Sequence, residues 1–106
     1  MNLIVVLPDG SARHVPCGAK GTVMDCMRAA GVPVRAECGG AMACATCHVQ
    51  VDEAWIAKTG KAEDEEADLL DNSDYKTDRS RLSCQMKCGA HLDGLTLALQ
   101  LDAFEG

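Results

Sequence analysis

Cys38-x5-Cys44-x2-Cys47 places three thiols within ten residues, and the side chains between them are almost all small: Gly39, Gly40, Ala41, Ala43, Ala45 and Thr46. The stretch has no hydrophobic period, so it reads as a loop rather than a helix or strand. Thiols this dense on a small-residue loop are metal-ligand candidates. A thiolate-bound metal centre is an anion, and burying an anion demands backbone N–H groups aimed at the sulfurs. Glycine supplies the dihedrals such wrapping needs, and alanine lets the chain approach closely. Three local thiols leave one ligand to come from afar, and Cys84 or Cys88 can supply it.

The chain has seven cysteines in 106 residues. A secreted disulfide scaffold would show an even count and an export signal. Here the count is odd, and the apolar start Leu3-Ile4-Val5-Val6-Leu7 lacks a basic leader and soon meets Pro8-Asp9-Gly10. These features point to a reducing compartment and thiolate–metal chemistry. The expected location is the bacterial cytoplasm, or the mitochondrial matrix for a processed eukaryotic chain. Two metal readings compete. Structural zinc uses thiolates too, but in paired knuckles such as Cys-x2-Cys repeated or joined to His-x3-His. Three clustered thiols plus one distant thiol suit iron–sulfur ligation better.

The length fits one domain over residues 1–106, with no apolar run long enough to span a membrane. Only Trp55, Tyr75 and Phe104 are aromatic, so the core must be aliphatic, with methionines Met24, Met27, Met42 and Met86 as packing. The formal charge of −6 argues against nucleic acid and anionic membrane as partners. Its distribution is uneven. Glu63, Asp64, Glu65, Glu66, Asp68, Asp71 and Asp74 form a run with no Lys or Arg, and the nine other acids face ten bases. Seven like charges repel one another, a cost that a basic docking partner would explain.

Local patterns give an α+β domain with a mixed sheet. Residues 3–7 form a strand, Pro8-Asp9-Gly10-Ser11 a turn, and residues 12–17 the returning partner. Thr22 and Asp25 suggest a capping box opening a helix with Val23, Cys26, Met27 and Ala30 on its apolar face. Gly31 ends the helix and Pro33 prevents its resumption. Val49 and Val51 alternate with polar neighbours in a short strand. The acidic run is a short surface helix anchored by Leu69 and Leu70. Leu95, Leu97, Leu99 and Leu101 alternate with Thr96, Ala98 and Gln100, the clearest strand in the chain.

Three blocks carry a resemblance: residues 37–49 (Glu-Cys-Gly-Gly-Ala-Met-Ala-Cys-Ala-Thr-Cys-His-Val), 64–71 (Asp-Glu-Glu-Ala-Asp-Leu-Leu-Asp) and 77–85 (Thr-Asp-Arg-Ser-Arg-Leu-Ser-Cys-Gln). Together they make the chain resemble the adrenodoxin/putidaredoxin-type, or vertebrate-type, [2Fe–2S] ferredoxins. The five residues between the first two cysteines separate it from the plant type, which has four. The resemblance implies a β-grasp fold and one [2Fe–2S] cluster, with Cys38 and Cys44 on the outer iron and Cys47 and Cys84 on the inner. It implies that Asp68 and Asp71, with Glu65 and Glu66 beside them, meet basic patches on a reductase and an acceptor. Cys17, Cys26 and Cys88 match no family ligand and are expected to be buried small hydrophobes. His48 is expected to orient the cluster loop by a hydrogen bond. Arg79 and Arg81 are expected to pair internally, holding the cluster segment to the body.

No nucleotide fingerprint or catalytic triad is evident, so the expected role is an electron-transfer protein and not an enzyme. The resemblance implies a monomeric one-electron carrier between an FAD-dependent NAD(P)H ferredoxin reductase and a cytochrome P450 monooxygenase. The alternatives are electron supply for iron–sulfur cluster assembly and a structural zinc module. The residues between the cysteines, and a tail without a long basic extension, favour the P450 role over assembly. Glu37, beside Cys38, and Phe104, just beyond the leucine strand, are expected as acceptor-side contacts.

Overall fold

The computed structural model describes residues 2–18, 21–35 and 47–104. Strand β1 (Asn2–Val6) turns at Pro8–Ser11 and pairs antiparallel with β2 (Ala12–Pro16), with Leu3 opposite Val15 and Val5 opposite Arg13. Helix α1 (Val23–Ala29) follows, then β3 (His48–Val51), a short helix α2 (Ile56–Thr59), the acidic helix α3 (Asp64–Leu70), β4 (Ser80–Leu82) and β5 (Leu95–Leu99). The sheet order is β2-β1-β5-β3-β4. Only the β1–β5 pair is parallel, with Leu3 beside Leu95 and Val5 beside Leu97. β3 runs antiparallel to both β5 and β4. This mixed sheet with few helices is the β-grasp, α+β architecture anticipated from the sequence.

The strands sort their side chains with the period of two that a pleated sheet imposes. Leu3, Val5, Val15, Val49, Val51, Leu95, Leu97 and Leu99 all point into one core. Ile4 and Val6 are half-buried on the other face of β1, which has neighbours on both edges and tolerates a continuous apolar run. Helix α1 closes the core with Val23, Met24, Cys26 and Met27. Its start is the anticipated capping box: Thr22 Oγ1 accepts the Asp25 N–H, and Asp25 Oδ2 accepts the Thr22 N–H, both at 3.2 Å. Gly31 takes φ +79°, the left-handed geometry that stops the helix and that a side chain would strain.

Two edges differ from expectation. Ala30 lies past the last helical turn and is exposed, while Met24 joins the buried face instead. The terminal strand ends at Leu99, and Leu101 begins a single 3-10 turn (Leu101–Ala103) with 53% of its surface exposed. The ladder to β3 closes with the Gln100 N–H donating to the His48 carbonyl at 3.1 Å, at the first residue of β3, so the leucine alternation outruns the strand that would bury it. Helix α2 was not legible as a helix, since it has only four residues and no side-chain cap.

Leu97 sits in the middle of the central strand, 1% exposed, between Val5 and Val51. Leu97→Ala should therefore cost about 2–5 kcal/mol in chemical unfolding of the protein. Leu101→Ala, at the frayed end, should shift stability by no more than about 0.5 kcal/mol.

Candidate metal centre

The sequence places two candidate ligands, Cys47 and Cys84, far apart along the chain, and the fold brings them together. Cys47 immediately precedes β3 and Cys84 immediately follows β4 in the Ser83–Gln85 turn, so the antiparallel β3–β4 pair sets both thiols at one end of the sheet. Their sulfurs are 3.3 Å apart and buried, at 0% and 6% exposure. Ser83 fixes the spacing, because its N–H and its hydroxyl both donate to the Cys47 carbonyl, at 3.0 and 2.9 Å. Two thiolates on one tetrahedral metal with bonds of about 2.3 Å sit about 3.8 Å apart, so this pair needs only a small adjustment to share an ion. The hydrogen bond from the Cys47 thiol pulls the Cys84 pKa down to about 6, and Gln85 Nε2 donates to the same sulfur at 3.4 Å. The site thus favours the thiolate that a metal ligand must be. Cys38, Cys44 and Glu37 lie outside the described residues.

Behind the pair stands a buried ion pair. Arg81 Nε and Nη2 donate to the two carboxylate oxygens of Glu66, at 2.6 and 3.3 Å. Arg81 Nη1 donates to the carbonyls of Thr59 and Gly60 at the end of α2. Glu66 Oε2 also accepts the Leu82 N–H at 3.0 Å. One guanidinium therefore ties β4 to both α2 and α3, three residues before Cys84. This is the internal pairing expected of Arg81. It also corrects the acidic run: Glu66 is 7% exposed with its carboxylate fully engaged, so it is a brace and not a docking charge. Arg79 is exposed, and its side chain makes 3.5 Å contacts to the Val51 carbonyl and Gln50 Oε1 among the described residues.

His48, next to Cys47, is wholly buried. Its Nε2 lies 2.7 Å from Ser80 Oγ and its Nδ1 3.3 Å from Ser73 Oγ. Ser80 Oγ in turn accepts the Thr77 N–H. The imidazole latches the start of β3 to β4 and to the 73–77 loop, while the cluster loop it was expected to orient lies outside the described residues.

The other acids of the run face outward. Glu65, Asp68 and Asp71 are exposed, and Asp71 forms a surface ion pair with Lys76. Acids in the first turn of α3 also suit the positive end of a helix. Leu70 is the buried anchor and Leu69 is half-buried. Phe104 bridges Val34 through its backbone and packs its ring, half-buried, against the core.

Cys17 and Cys26 are buried as expected, but they are joined in a disulfide, and Cys88 stands against both. Sequence spacing gave no sign of this, because the three thiols come from the end of the β1–β2 hairpin, from α1 and from the segment after Cys84.

Residues 6–89 match the 2Fe-2S iron-sulfur cluster binding domain. Rhodocoxin of Rhodococcus erythropolis is 40% identical over 96 residues, covering 89% of this chain and 90% of that protein. The mitochondrial adrenodoxin homolog of Saccharomyces cerevisiae is 34% identical over 99 residues, which cover 93% of this chain and 58% of the relative. Among solved structures, a ferredoxin from Rhodopseudomonas palustris HaA2 superimposes with a TM-score of 0.91 at 37% identity, covering 97% of this chain and 99% of that one. A putidaredoxin covalently complexed with putidaredoxin reductase gives 0.86 at 31% identity, covering 93% and 97%. The family match decides between the two metal readings in favour of iron–sulfur.

Removing Arg81 would leave the Glu66 carboxylate buried without its partner. Arg81→Ala should cost about 3–5 kcal/mol by chemical unfolding, whereas Arg79→Ala should stay within about 0.5 kcal/mol.

Proposed function

The chain belongs to the adrenodoxin/putidaredoxin-type [2Fe–2S] ferredoxins, electron carriers with one such cluster, and on that premise we propose that it passes single electrons from an FAD-dependent, NAD(P)H-fed ferredoxin reductase to a cytochrome P450 monooxygenase. The observation that carries this reading is the buried Cys47–Cys84 pair, braced by Arg81 and Glu66 directly against an acidic surface helix. Cys38, Cys44, Cys47 and Cys84 would hold the cluster. The cluster supplies one-electron storage, while the chain supplies soft ligands, hydrogen bonds to sulfur and exclusion of water. Gln85 Nε2, donating to the Cys84 sulfur, stabilises the negative charge that reduction adds.

Docking falls to the exposed acids of α3 and its end, Glu65, Asp68 and Asp71, which present negative charge to a basic partner surface. The solved complex of a similar putidaredoxin with its reductase supports a reductase as that partner. Glu37 and the exposed part of Phe104 are assigned to the acceptor side. The alternative of electron supply for cluster assembly makes use of the same site and the same acidic face. Reconstitution separates the two: substrate turnover with a reductase and a P450 supports the proposal, and turnover only in an assembly assay overturns it.

The ligand set predicts that Cys84→Ser abolishes or badly destabilises the cluster, because the iron needs a soft thiolate. Cys88→Ser should keep its iron, its acid-labile sulfide and its visible spectrum. A loaded Cys84→Ser protein beside an empty Cys88→Ser protein would reverse the assignment.

The docking face predicts that Asp68→Asn with Asp71→Asn leaves the spectrum unchanged and slows reduction by the reductase about five- to tenfold at low salt. Added salt should slow the unsubstituted protein and narrow that gap, since charges are screened beyond about 8–10 Å. Equal stopped-flow rates at low ionic strength would exclude this face.

A further inference from the structure

Cys17, Cys26 and Cys88 converge from three separate elements on a single point. Cys17 follows β2, Cys26 lies in the second turn of α1, and Cys88 follows the Ser83–Gln85 turn. The Cys88 sulfur is 2.7 Å from that of Cys17 and 3.2 Å from that of Cys26. Cys17 and Cys26 are each 8% exposed, while Cys88 is only half-buried and gives the cluster of thiols a side open to solvent. Backbone hydrogen bonds hold the approach: the Cys88 N–H donates to the Gly21 carbonyl at 3.0 Å, and the Val23 N–H to the Met86 carbonyl at 2.8 Å. None of the three belongs to the proposed iron ligands.

A disulfide accounts for two of these sulfurs and leaves the third without a reason to touch both. Three sulfurs around one point are the donor set of a thiophilic metal ion. We propose that Cys17, Cys26 and Cys88 form a second metal site, distinct from the [2Fe–2S] centre, which binds one zinc(II) ion in the reduced protein. All three sulfurs lie within 4.8 Å of one another. Three thiolates bonded at about 2.3 Å stand about 4 Å apart, so opening the disulfide and spreading the side chains accommodates the ion. Water fills the fourth position from the exposed side of Cys88, as in zinc sites with three protein ligands. Burial, and after it the negative charge of Asp25, hold the Cys88 thiol above its ordinary pKa, and that charge makes the surroundings attractive to a cation.

The chemistry balances in two steps. A dithiol reductant gives two electrons and two protons to the Cys17–Cys26 disulfide and is itself oxidised to a disulfide, leaving three thiols. Zinc(II) then displaces three protons and forms a tris-thiolate carrying one negative charge. The metal-bound form requires the thiols, and the disulfide is its metal-free counterpart.

The test uses the holoprotein with its iron–sulfur cluster in place. It is reduced with a phosphine, freed of excess reagent without air, and titrated with zinc(II) chloride against a chromophoric chelator. Bound zinc and iron are then counted together. The expected result is about one zinc per chain with iron and the visible spectrum unchanged, and no uptake before reduction. Cys88→Ser, altered only at the half-buried thiol, should keep its iron and weaken zinc binding by more than the roughly tenfold cost of losing an outer-shell partner. Cys26→Ala provides the second variant, with the same expectation. The proposal is overturned if reduced protein with titratable thiols takes up no zinc. It is equally overturned if Cys88→Ser binds zinc undiminished, or if zinc enters only as iron leaves. Because iron is measured in the same sample, failure at this site is distinguishable from failure of the electron-carrier reading.

Discussion

Arg81 sits where α2, α3 and the strand leading to Cys84 meet. Its guanidinium uses Nε and Nη2 on Glu66 and Nη1 on the Thr59 and Gly60 carbonyls. Taking this pair out of water is costly, and apolar side chains of similar volume would often hold a core as well. What an apolar pair lacks is direction. The planar fork fixes the angle between β4 and α3, and Glu66 extends the constraint to the Leu82 N–H, two residues before Cys84. Ser83 then carries it across to the Cys47 carbonyl. The separation of the two buried thiols is thus set by a chain of directional bonds that begins at one side chain.

That chain explains which parts of the molecule were legible in the sequence. Strands β1 and β5 and helix α1 are specified by local signals: an apolar run ended by a turn, a strict alternation, a capping box with a glycine stop. The pairing of Cys47 with the distant Cys84 was legible because metal ligation concentrates unusual residues at fixed spacings, while the rest of the thiol loop lies outside the described residues. Glu66 was not separated from its acidic neighbours, because composition treats a run of acids as one feature. Helical spacing contained the missing signal. Glu66 and Leu70 are four apart and share the buried face, while Glu65 and Asp68 are three apart and share the outer one. Leu101 failed for the opposite reason, since its alternation is perfect but burial depends on how far the neighbouring strand reaches.

The same helix therefore carries charges with two different jobs. Glu66, neutralised by Arg81, adds nothing to the outward field, and Asp71 is partly offset by Lys76. The effective negative face is smaller than the count of acids suggests, and it is centred on Glu65 and Asp68. In the proposed role this economy matters, because a docking face wired rigidly to the ligand strand fixes the partner's distance and orientation relative to the iron. In that role, electrostatic attraction would bring a partner to the face that the buried ion pair holds against β4.

The segment from Leu82 to Cys88 also has to keep two sets of thiols apart. Cys84 turns inward toward Cys47, and four residues later Cys88 turns toward Cys17 and Cys26. Between them, Met86 is buried, and its carbonyl accepts the Val23 N–H while Lys87 bridges Thr22. Thiols exchange and metals migrate when sulfurs can reach one another, with access as a governing term. Here the backbone pairing to the start of α1 holds the stretch between the two cysteines in place, with Met86 buried within it. In the proposed arrangement, one short stretch of paired backbone is what separates the Cys47–Cys84 pair from the sulfurs of Cys17, Cys26 and Cys88.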